Sequence, residues 1–265
     1  KITLSSQGAA VQRVELKDYL TYDKQPLVLL DEQSSKTELI VTSNYKAINV
    51  SALYYNAEYA KTTVTGEDTI SVAFKVALSD GRFVEHIYTL GGTGYQLGYE
   101  VKLVGLDGVV DNQDAQLIWT NDLKRVEHTL KESRQKTTIN YMMASGDFDD
   151  LSASDSEEIE AFDQPVKWFA MKQRFFASAL IAENNFTKST FSTIVNESDT
   201  NTVKSTKAVL NIPIGDLKTG KGNYEYALNS NNISEFDKGD ENLSYTFKNV
   251  QPGLNKVYIR DIKWI

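Results

Sequence analysis

The stretch ISVAFKVALSDGRFVEHIYTLGGTGYQLGYEVKL, Ile70 to Leu103, decides the fold class, because its apolar residues recur at every second position. Successive side chains of a β-strand point to opposite faces, so this spacing predicts a strand from Ile70 to Leu78 with one apolar face. The same alternation returns from Tyr95 to Leu103, and Phe83 to Leu90 lies between the two. We predict an antiparallel meander of three strands with one solvated face.

Glycines mark both turns of this meander. Asp80-Gly81 is a hairpin signal, because the tight turn needs positive φ angles at its two central positions. Gly91, Gly92 and Gly94 predict the next turn. They precede a strand pattern, and without a following helix N-terminus they do not form a phosphate cradle.

Strand signals dominate the rest of the chain, and the helix signal is sparse. Further strands are predicted at Leu39 to Thr42, Gln116 to Thr120, Thr137 to Met142, Val166 to Ala182, Lys207 to Ile212 and Asn223 to Ala227. Asn121 could cap a helix, because Leu123, Val126 and Leu130 follow at i, i+3 and i+7 spacing. The pattern predicts an all-β, mainly antiparallel protein with one or two short helices, as a single domain over residues 1–265.

Composition excludes several classes of protein. The net charge of -8 argues against a nucleic-acid partner, which requires a basic surface. The absence of cysteine excludes disulfides, thiolate nucleophiles and cysteine-ligated metals. No apolar run approaches the ~18 residues of a transmembrane helix. The chain shows no signal peptide and starts at Lys1 without Met, so we expect an excised domain or mature fragment.

Eight acidic residues without an intervening basic residue lie between Asp147 and Asp163. Such a block repels itself and stays solvated, so we expect an acidic mobile loop over about residues 146–163. The spacing does not fit a calcium-binding loop, because Leu151 stands where a third oxygen ligand should fall. We predict no metal site.

No set of residues carries a catalytic signature. The two histidines, His86 and His128, each follow a glutamate, but neighbouring residues on a strand or a helix do not face one another. The nucleophile elbow, the phosphate-binding loop and the dinucleotide fingerprint are all missing from the sequence. Paired carboxylates for glycoside hydrolysis remain open, since no pair is marked out. We predict a non-enzymatic protein without a cofactor.

The run PVKWFAMKQRFF, Pro165 to Phe176, has two interpretations. Trp168, Met171 and Phe175 could form a ligand platform. The pattern favours a buried central strand, with cationic residues that face solvent or pair with the acidic block. These cations are Lys167, Lys172 and Arg174.

The C-terminal tail, about residues 254–265, is the candidate interaction site. On a helix it would carry an apolar and a basic stripe about 200° apart, which suits a membrane surface. The alternative is a last β-strand on the core, and the sequence leaves both open. The candidate residues are Lys256, Tyr258, Arg260, Ile262, Lys263, Trp264 and Ile265.

Three quoted stretches resemble one family. SSQGAAVQRVELKDYLTYDKQPLVLL, Ser5 to Leu30, resembles the start of the large periplasmic domain of the YidC membrane protein insertase. KESRQKTTINYM, Lys131 to Met142, is similar to its polar helix and the strand that follows. PVKWFAMKQRFFASALIA, Pro165 to Ala182, is similar to its tryptophan- and phenylalanine-rich strand. The acidic block resembles the Bacteroidetes branch, and the match fades beyond about residue 183.

The resemblance implies a large twisted β-sandwich, similar to the galactose-mutarotase supersandwich, with a helix near the C-terminus. It implies a non-catalytic domain at the periplasmic face of the bacterial inner membrane, as part of a membrane-anchored, multi-pass parent chain. The implied partners are the Sec translocon with its auxiliary subunits and nascent membrane proteins, whose insertion and folding the parent assists. The tail would then lead toward the membrane.

Two hypotheses of other classes remain. A carbohydrate-binding or mutarotase-like sandwich would follow from fold analogy alone. A secreted adhesion module is the other, although its five Asn-x-Ser/Thr sequons are expected by chance in so Asn- and Ser-rich a chain.

Overall fold

The computed structural model describes residues 1–60, 62–79 and 81–230, which form strands, two short α-helices and one 3₁₀ turn. The strands are β1 (Ile2–Leu4), β2 (Val11–Leu20), β3 (Pro26–Leu30), β4 (Ser35–Ser43), β5 (Lys46–Asn49), β6 (Asn56–Tyr59), β7 (Thr69–Ser79), β8 (Arg82–Gly91), β9 (Gln96–Val104), β10 (Ala115–Lys124), β11 (Thr138–Met143), β12 (Phe148–Asp150), β13 (Glu157–Phe162), β14 (Val166–Lys172), β15 (Phe176–Phe186), β16 (Ser189–Ile194), β17 (Thr202–Ile212) and β18 (Asn223–Ser230). The helices are α1 (Leu130–Lys136) and α2 (Ile214–Thr219), and the 3₁₀ turn is Val50–Ala52.

These strands form three sheets. A nine-stranded sheet has the order β12-β11-β14-β15-β18-β9-β8-β7-β6, and a six-stranded sheet has the order β13-β16-β17-β10-β4-β5. A small sheet has the order β1-β2-β3. Every pairing between these strands is antiparallel, which confirms the predicted all-β, mainly antiparallel class.

The predicted meander is β7, β8 and β9, paired in that order. Gly81 has φ +71, the left-handed conformation that the predicted hairpin turn requires. Asp80 lies outside the described residues. All the other predicted strands also contain strand residues. Within the Ser5 to Leu30 stretch, β2 holds the VELKDY segment and β3 holds the PLVLL segment.

The core lies between the six-stranded and nine-stranded sheets. Trp119 of β10 contacts the rings of Phe169 on β14 and Tyr226 on β18, with centroids 5.8 and 5.5 Å apart. Phe191 of β16 stacks on Phe169 at 5.3 Å. These rings come from facing sheets and interdigitate, as the layers of a β-sandwich do.

The small sheet packs on the same core beside the six-stranded sheet. Val14 and Leu27 are buried in the cluster that also contains Phe74 and Tyr88 of the nine-stranded sheet. The hydroxyl of Tyr88 donates a hydrogen bond to the carbonyl oxygen of Ala9 at 2.7 Å. The six-stranded sheet and the small sheet therefore both pack on the inner face of the nine-stranded sheet.

The helix predicted after Asn121 is wrong. Asn121 lies within β10, paired with Ser35 on one side and Thr206 on the other, so its backbone is committed to two ladders. The next helix, α1, begins only at Leu130. Leu123 is apolar because it is buried on a strand. A pattern of only three apolar residues does not distinguish a strand from a helix.

The single strand predicted from Val166 to Ala182 is two strands, β14 and β15. They form a hairpin in which Lys172 pairs with Ala177. The N–H of Gln173 donates to the carbonyl oxygen of Phe176 at 2.7 Å and closes the turn. The stretch contains no proline or glycine to mark the turn, and consecutive buried residues on β14 and β15 leave no alternation to separate the two strands.

The acidic segment 146–163 was predicted as a loop, and this is wrong for the residues of β12 and β13. Leu151 between them is fully buried, and its N–H donates to the carbonyl oxygen of Ile139 at 3.0 Å. The ammonium of Lys204 donates to the carbonyl oxygen of Ala153 at 2.9 Å. Leu151 and the buried Lys204 therefore hold this segment against the protein, although its acidic composition is typical of a solvated loop. The domain range 1–265 stays a prediction.

Candidate interaction groove

A groove of about 790 Å³ lies between the small sheet and the nine-stranded sheet. Ile2 and Leu4 of β1 line one wall, and Ala57 and Tyr59 of β6 line the other. Residues of β7, β8 and β9 form the floor. The volume falls within the range of about 300–1,000 Å³ typical of ligand sites.

The apolar face of β7 forms much of this floor. Phe74 is buried, but Ile70, Val72 and Val76 are only partly buried, and Leu78 is 51% exposed. The predicted period-two pattern is therefore confirmed as an apolar face, and that face is incompletely covered. The groove lies over the part of this apolar face that the small sheet does not cover.

The walls of the groove meet at a single point of strand pairing. Gln7, just after β1, forms an antiparallel bridge with Tyr54, just before β6. The N–H of Tyr55 donates to the carbonyl oxygen of Ser6 at 2.9 Å, and that of Gly8 donates to Leu53 at 2.8 Å. β1 and β6 both extend from the same side of this bridge, with opposite chain directions, and they form opposite walls of the groove.

Gly8 makes the bridge possible. Its φ is +71, and a Cβ atom there would lie 2.5 Å from the carbonyl oxygen of Ser51. Only glycine combines this left-handed conformation with so close an approach. At the other end of the groove, Gly92 approaches the backbone of residues 65–66 equally closely. The glycines of the predicted turn thus shape the mouth of the groove.

The groove carries little net charge. Among its described lining residues, Lys1 and Lys17 balance Glu15 and Asp18. Burial and a hydrogen bond with Tyr19 raise the pKa of Tyr95, which also lines the groove, to about 12. Its phenol is therefore neutral at neutral pH, and the charged side chains of the lining balance one another.

His86 lies in the core rather than in the groove. It is 1% exposed, its Nδ1 atom lies 2.8 Å from the Tyr99 hydroxyl oxygen, and its ring meets Tyr55 edge-to-face at 5.0 Å. Burial lowers the pKa of His86 to about 3, so the ring is neutral. Glu85 lies on the opposite face of β8, as predicted, and no acid–base pair forms there.

His128 lies elsewhere, in the connection before α1, where it is exposed and 5.8 Å from the ring of Tyr22. Its neighbour Glu127 has a 14% exposed side chain. Burial raises the pKa of Glu127 to about 7, although Arg174 at 3.9 Å opposes this shift. No local sequence pattern marks this carboxyl group, because Arg174 lies 47 positions away in the chain.

The aromatic run is core, as the pattern favoured. Trp168 and Met171 are both fully enclosed, and they belong to separate apolar clusters on opposite faces of β14, so they form no shared platform. Two of the three cations contact groups outside the acidic block. Lys167 donates to the carbonyl oxygen of Glu183 at 2.6 Å, and Arg174 pairs with Glu132 of α1 at 2.6 Å.

The candidate residues of the C-terminal tail lie outside the described residues, and their assignment stays a prediction. They are Lys256, Tyr258, Arg260, Ile262, Lys263, Trp264 and Ile265. In the part of the chain that the structure describes, no three His, Asp or Glu residues are grouped so as to hold a metal ion. Neither described α-helix has the length and apolar character needed to cross a bilayer.

Residues 1–224 match the family model of the YidC periplasmic domain. The chain belongs to this family. The match includes the segment after residue 183, where the sequence resemblance was expected to fade, and it reaches into β18. The structural elements of this second half are therefore those of the same family domain.

Two curated relatives, both named membrane protein insertase YidC, come from Bacteroidetes, as the acidic block suggested. The protein from Cytophaga hutchinsonii is 32% identical over 243 residues, which cover 88% of this chain and 38% of the relative. The protein from Amoebophilus asiaticus is 34% identical over 188 residues, which cover 70% of this chain and 32% of the relative. The chain thus spans about a third of the length of these relatives.

Among solved structures, the chain is similar to a galactose mutarotase related enzyme from Lactobacillus acidophilus. The TM-score is 0.44 and the identity is 9%, over 86% of this chain and 94% of the other.

Proposed function

We propose that this chain is a non-catalytic interaction domain at the periplasmic face of the inner membrane, within a membrane-anchored insertase. The observation that carries the proposal is the family match over residues 1–224. The names of the relatives support it, because they are insertases and not metabolic enzymes. The domain would assist the insertion and folding of inner-membrane proteins through protein–protein contacts.

The proposed partners are the Sec translocon with its auxiliary subunits and nascent membrane proteins. The groove supports a protein partner, because its floor is apolar, its lining has no net charge and its walls are strand edges. Open edges and apolar patches are the features by which sandwich domains bind polypeptides. The C-terminal tail would lead from the domain toward the membrane.

The test uses the full-length parent protein with an affinity tag, purified from native membranes under mild cross-linking. Replacing residues 1–265 with an uncharged linker of similar reach should reduce the recovery of Sec subunits and slow the insertion of a reporter membrane protein. Unchanged recovery together with unchanged insertion would remove the proposal. The transmembrane part of the parent, expressed at equal level, serves as the reference.

The carbohydrate hypothesis has no comparable support among the described residues. Mutarotation needs a general acid and a general base at the sugar ring. His86 is enclosed by Tyr55 and Tyr99, and it therefore has no route to a ligand in the groove.

A further inference from the structure

We infer that the groove binds an extended, uncharged segment of another polypeptide as an additional β-strand between β1 and β6. This inference rests on the proposed function and specifies how the domain would hold a protein partner. Strand edges, register, size and charge of the groove support it.

Both walls of the groove are edge strands. β1 ends the small sheet and β6 ends the nine-stranded sheet. Within the described residues, the bridge at Gln7 and Tyr54 is the one pairing between them. An edge strand presents a row of backbone donors and acceptors that pairs with another extended chain. A sugar or an acyl chain does not match such a row, whereas a peptide backbone does.

The register of the bridge relates the two edges to each other. If the antiparallel pairing continued beyond Gln7 and Tyr54, Leu4 would lie opposite Ala57, and Ile2 would lie opposite Tyr59. All four of these side chains instead line the groove, on its two walls. The groove is therefore a gap along a line where strands would otherwise pair, and an inserted strand would supply both missing ladders.

The dimensions fit a short strand. β6 has four residues and β1 has three. At about 3.3 Å per residue, four residues of extended chain span about 13 Å. A strand inserted beside β6 would extend the nine-stranded sheet at its edge, as strand addition does in other peptide-binding domains.

The floor and the charge of the groove specify the side chains of the occupant. Val72, Phe74 and Leu90 on the floor favour a segment with apolar residues at alternate positions, since alternate side chains of a strand share a face. The lining side chains balance two lysines against two carboxylates, and the amino terminus of Lys1 adds a positive charge, while the whole chain carries -8. Because the groove has no net negative charge, it favours a segment without net charge over a cationic one.

The experiment measures binding of a capped, fluorescein-labelled peptide of alternating valine and threonine to the 265-residue chain by fluorescence anisotropy. The control peptide has the same sequence with N-methyl groups on alternate residues, which removes backbone donors and keeps the side chains. The control should bind about 10-fold more weakly, because the ladder hydrogen bonds to one wall are lost. Hydrogen exchange of both β1 and β6 should slow in the complex.

A pair of variants locates the site. Ala57→Lys puts a charge on the groove wall and should weaken peptide binding about 10-fold, because the charge would be desolvated beside the inserted strand. Asn56→Lys makes the same charge change on the same strand but on the opposite face, and it should leave the affinity within about 2-fold. Both positions are exposed, so thermal melts should show that both variants fold.

Equal affinity for the two peptides, or equal loss in both variants, would overturn the inference, because binding would then depend on apolar contact alone. Concentration-dependent self-association that Ala57→Lys abolishes would make a second copy of the chain the occupant and would also overturn it. Absence of peptide binding with intact recovery of Sec subunits by the parent would refute the strand insertion and leave the proposed function standing.

Discussion

His86 gives the domain a pH-dependent stability whose size follows from its surroundings. The ring is 1% exposed and lies between Tyr55 and Tyr99, and burial lowers its pKa from 6.5 to about 3. Below pH 6.5 the unfolded chain takes up a proton at this site, whereas the folded protein does not until about pH 3. The stability contribution is therefore full above pH 6.5 and is lost as the pH falls toward 3.

Each pH unit in this window costs about 1.4 kcal/mol of unfolding free energy. Between pH 7 and pH 5, His86 should therefore remove about 2 kcal/mol of stability. Glu127 acts in the opposite sense, since burial raises its pKa from 4.5 to about 7 and the domain regains stability as the pH falls through that range. Glu127 therefore offsets part of the contribution of His86 to the pH dependence of the wild type.

The variant His86→Gln isolates the histidine. Its amide can exchange a hydrogen bond with the Tyr99 hydroxyl, and it does not titrate. Urea unfolding of both proteins, followed by tryptophan fluorescence at pH 7, 6 and 5, gives the difference in unfolding free energy at each pH. That difference should shift by about 2 kcal/mol in favour of the variant between pH 7 and 5. Parallel pH curves for the two proteins would refute the reasoning, because they would show that His86 titrates alike in both states.

Three further predictions concern stability. Phe169→Ala should cost about 4 kcal/mol in urea unfolding, because it opens a cavity between the sheets, and a cost near that of a surface substitution would contradict the described core. Gly8→Ala should cost more than about 1 kcal/mol and accelerate hydrogen exchange at Tyr55, since the added methyl group meets the Ser51 carbonyl oxygen; an unchanged exchange rate would argue against the bridge. Glu127→Gln should stabilise the protein by about 2 kcal/mol at pH 8 and by much less at pH 4.5, and equal effects at both pH values would show that the carboxyl group is not buried.

The strands of the meander were predictable from sequence because each places one face in the core and the other in solvent. The periodicity of apolar residues failed to predict the secondary structure where strands do not have one buried and one solvated face. Asn121 starts a false helix pattern because β10 is paired on both sides. The acidic segment hides the strand β13, because Glu158 and Glu160 occupy its partly buried positions while Ile159 is 70% exposed, the reverse of the usual alternation.

The groove was not predictable, because neither wall carries a strand signal. β6 reads Asn-Ala-Glu-Tyr with every side chain exposed, and β1 has three residues. Their relation depends on one bridge between Gln7 and Tyr54, which are 47 positions apart in sequence. Local patterns do not report such long-range pairing, so only the floor, the apolar face of β7, could be foreseen.

The open groove is itself an argument for a binding role. On the floor of the groove, Ile70 and Val72 of β7 are only partly buried. Apolar surface left in water costs about 25 cal/mol per Å², so an uncovered strand face lowers stability. Contiguous apolar surface of this kind marks interaction sites more often than structural defects. An inserted strand would cover this face in the complex, so its apolar surface would leave water on binding. The affinity should therefore rise with the size of the alternate apolar side chains of the peptide.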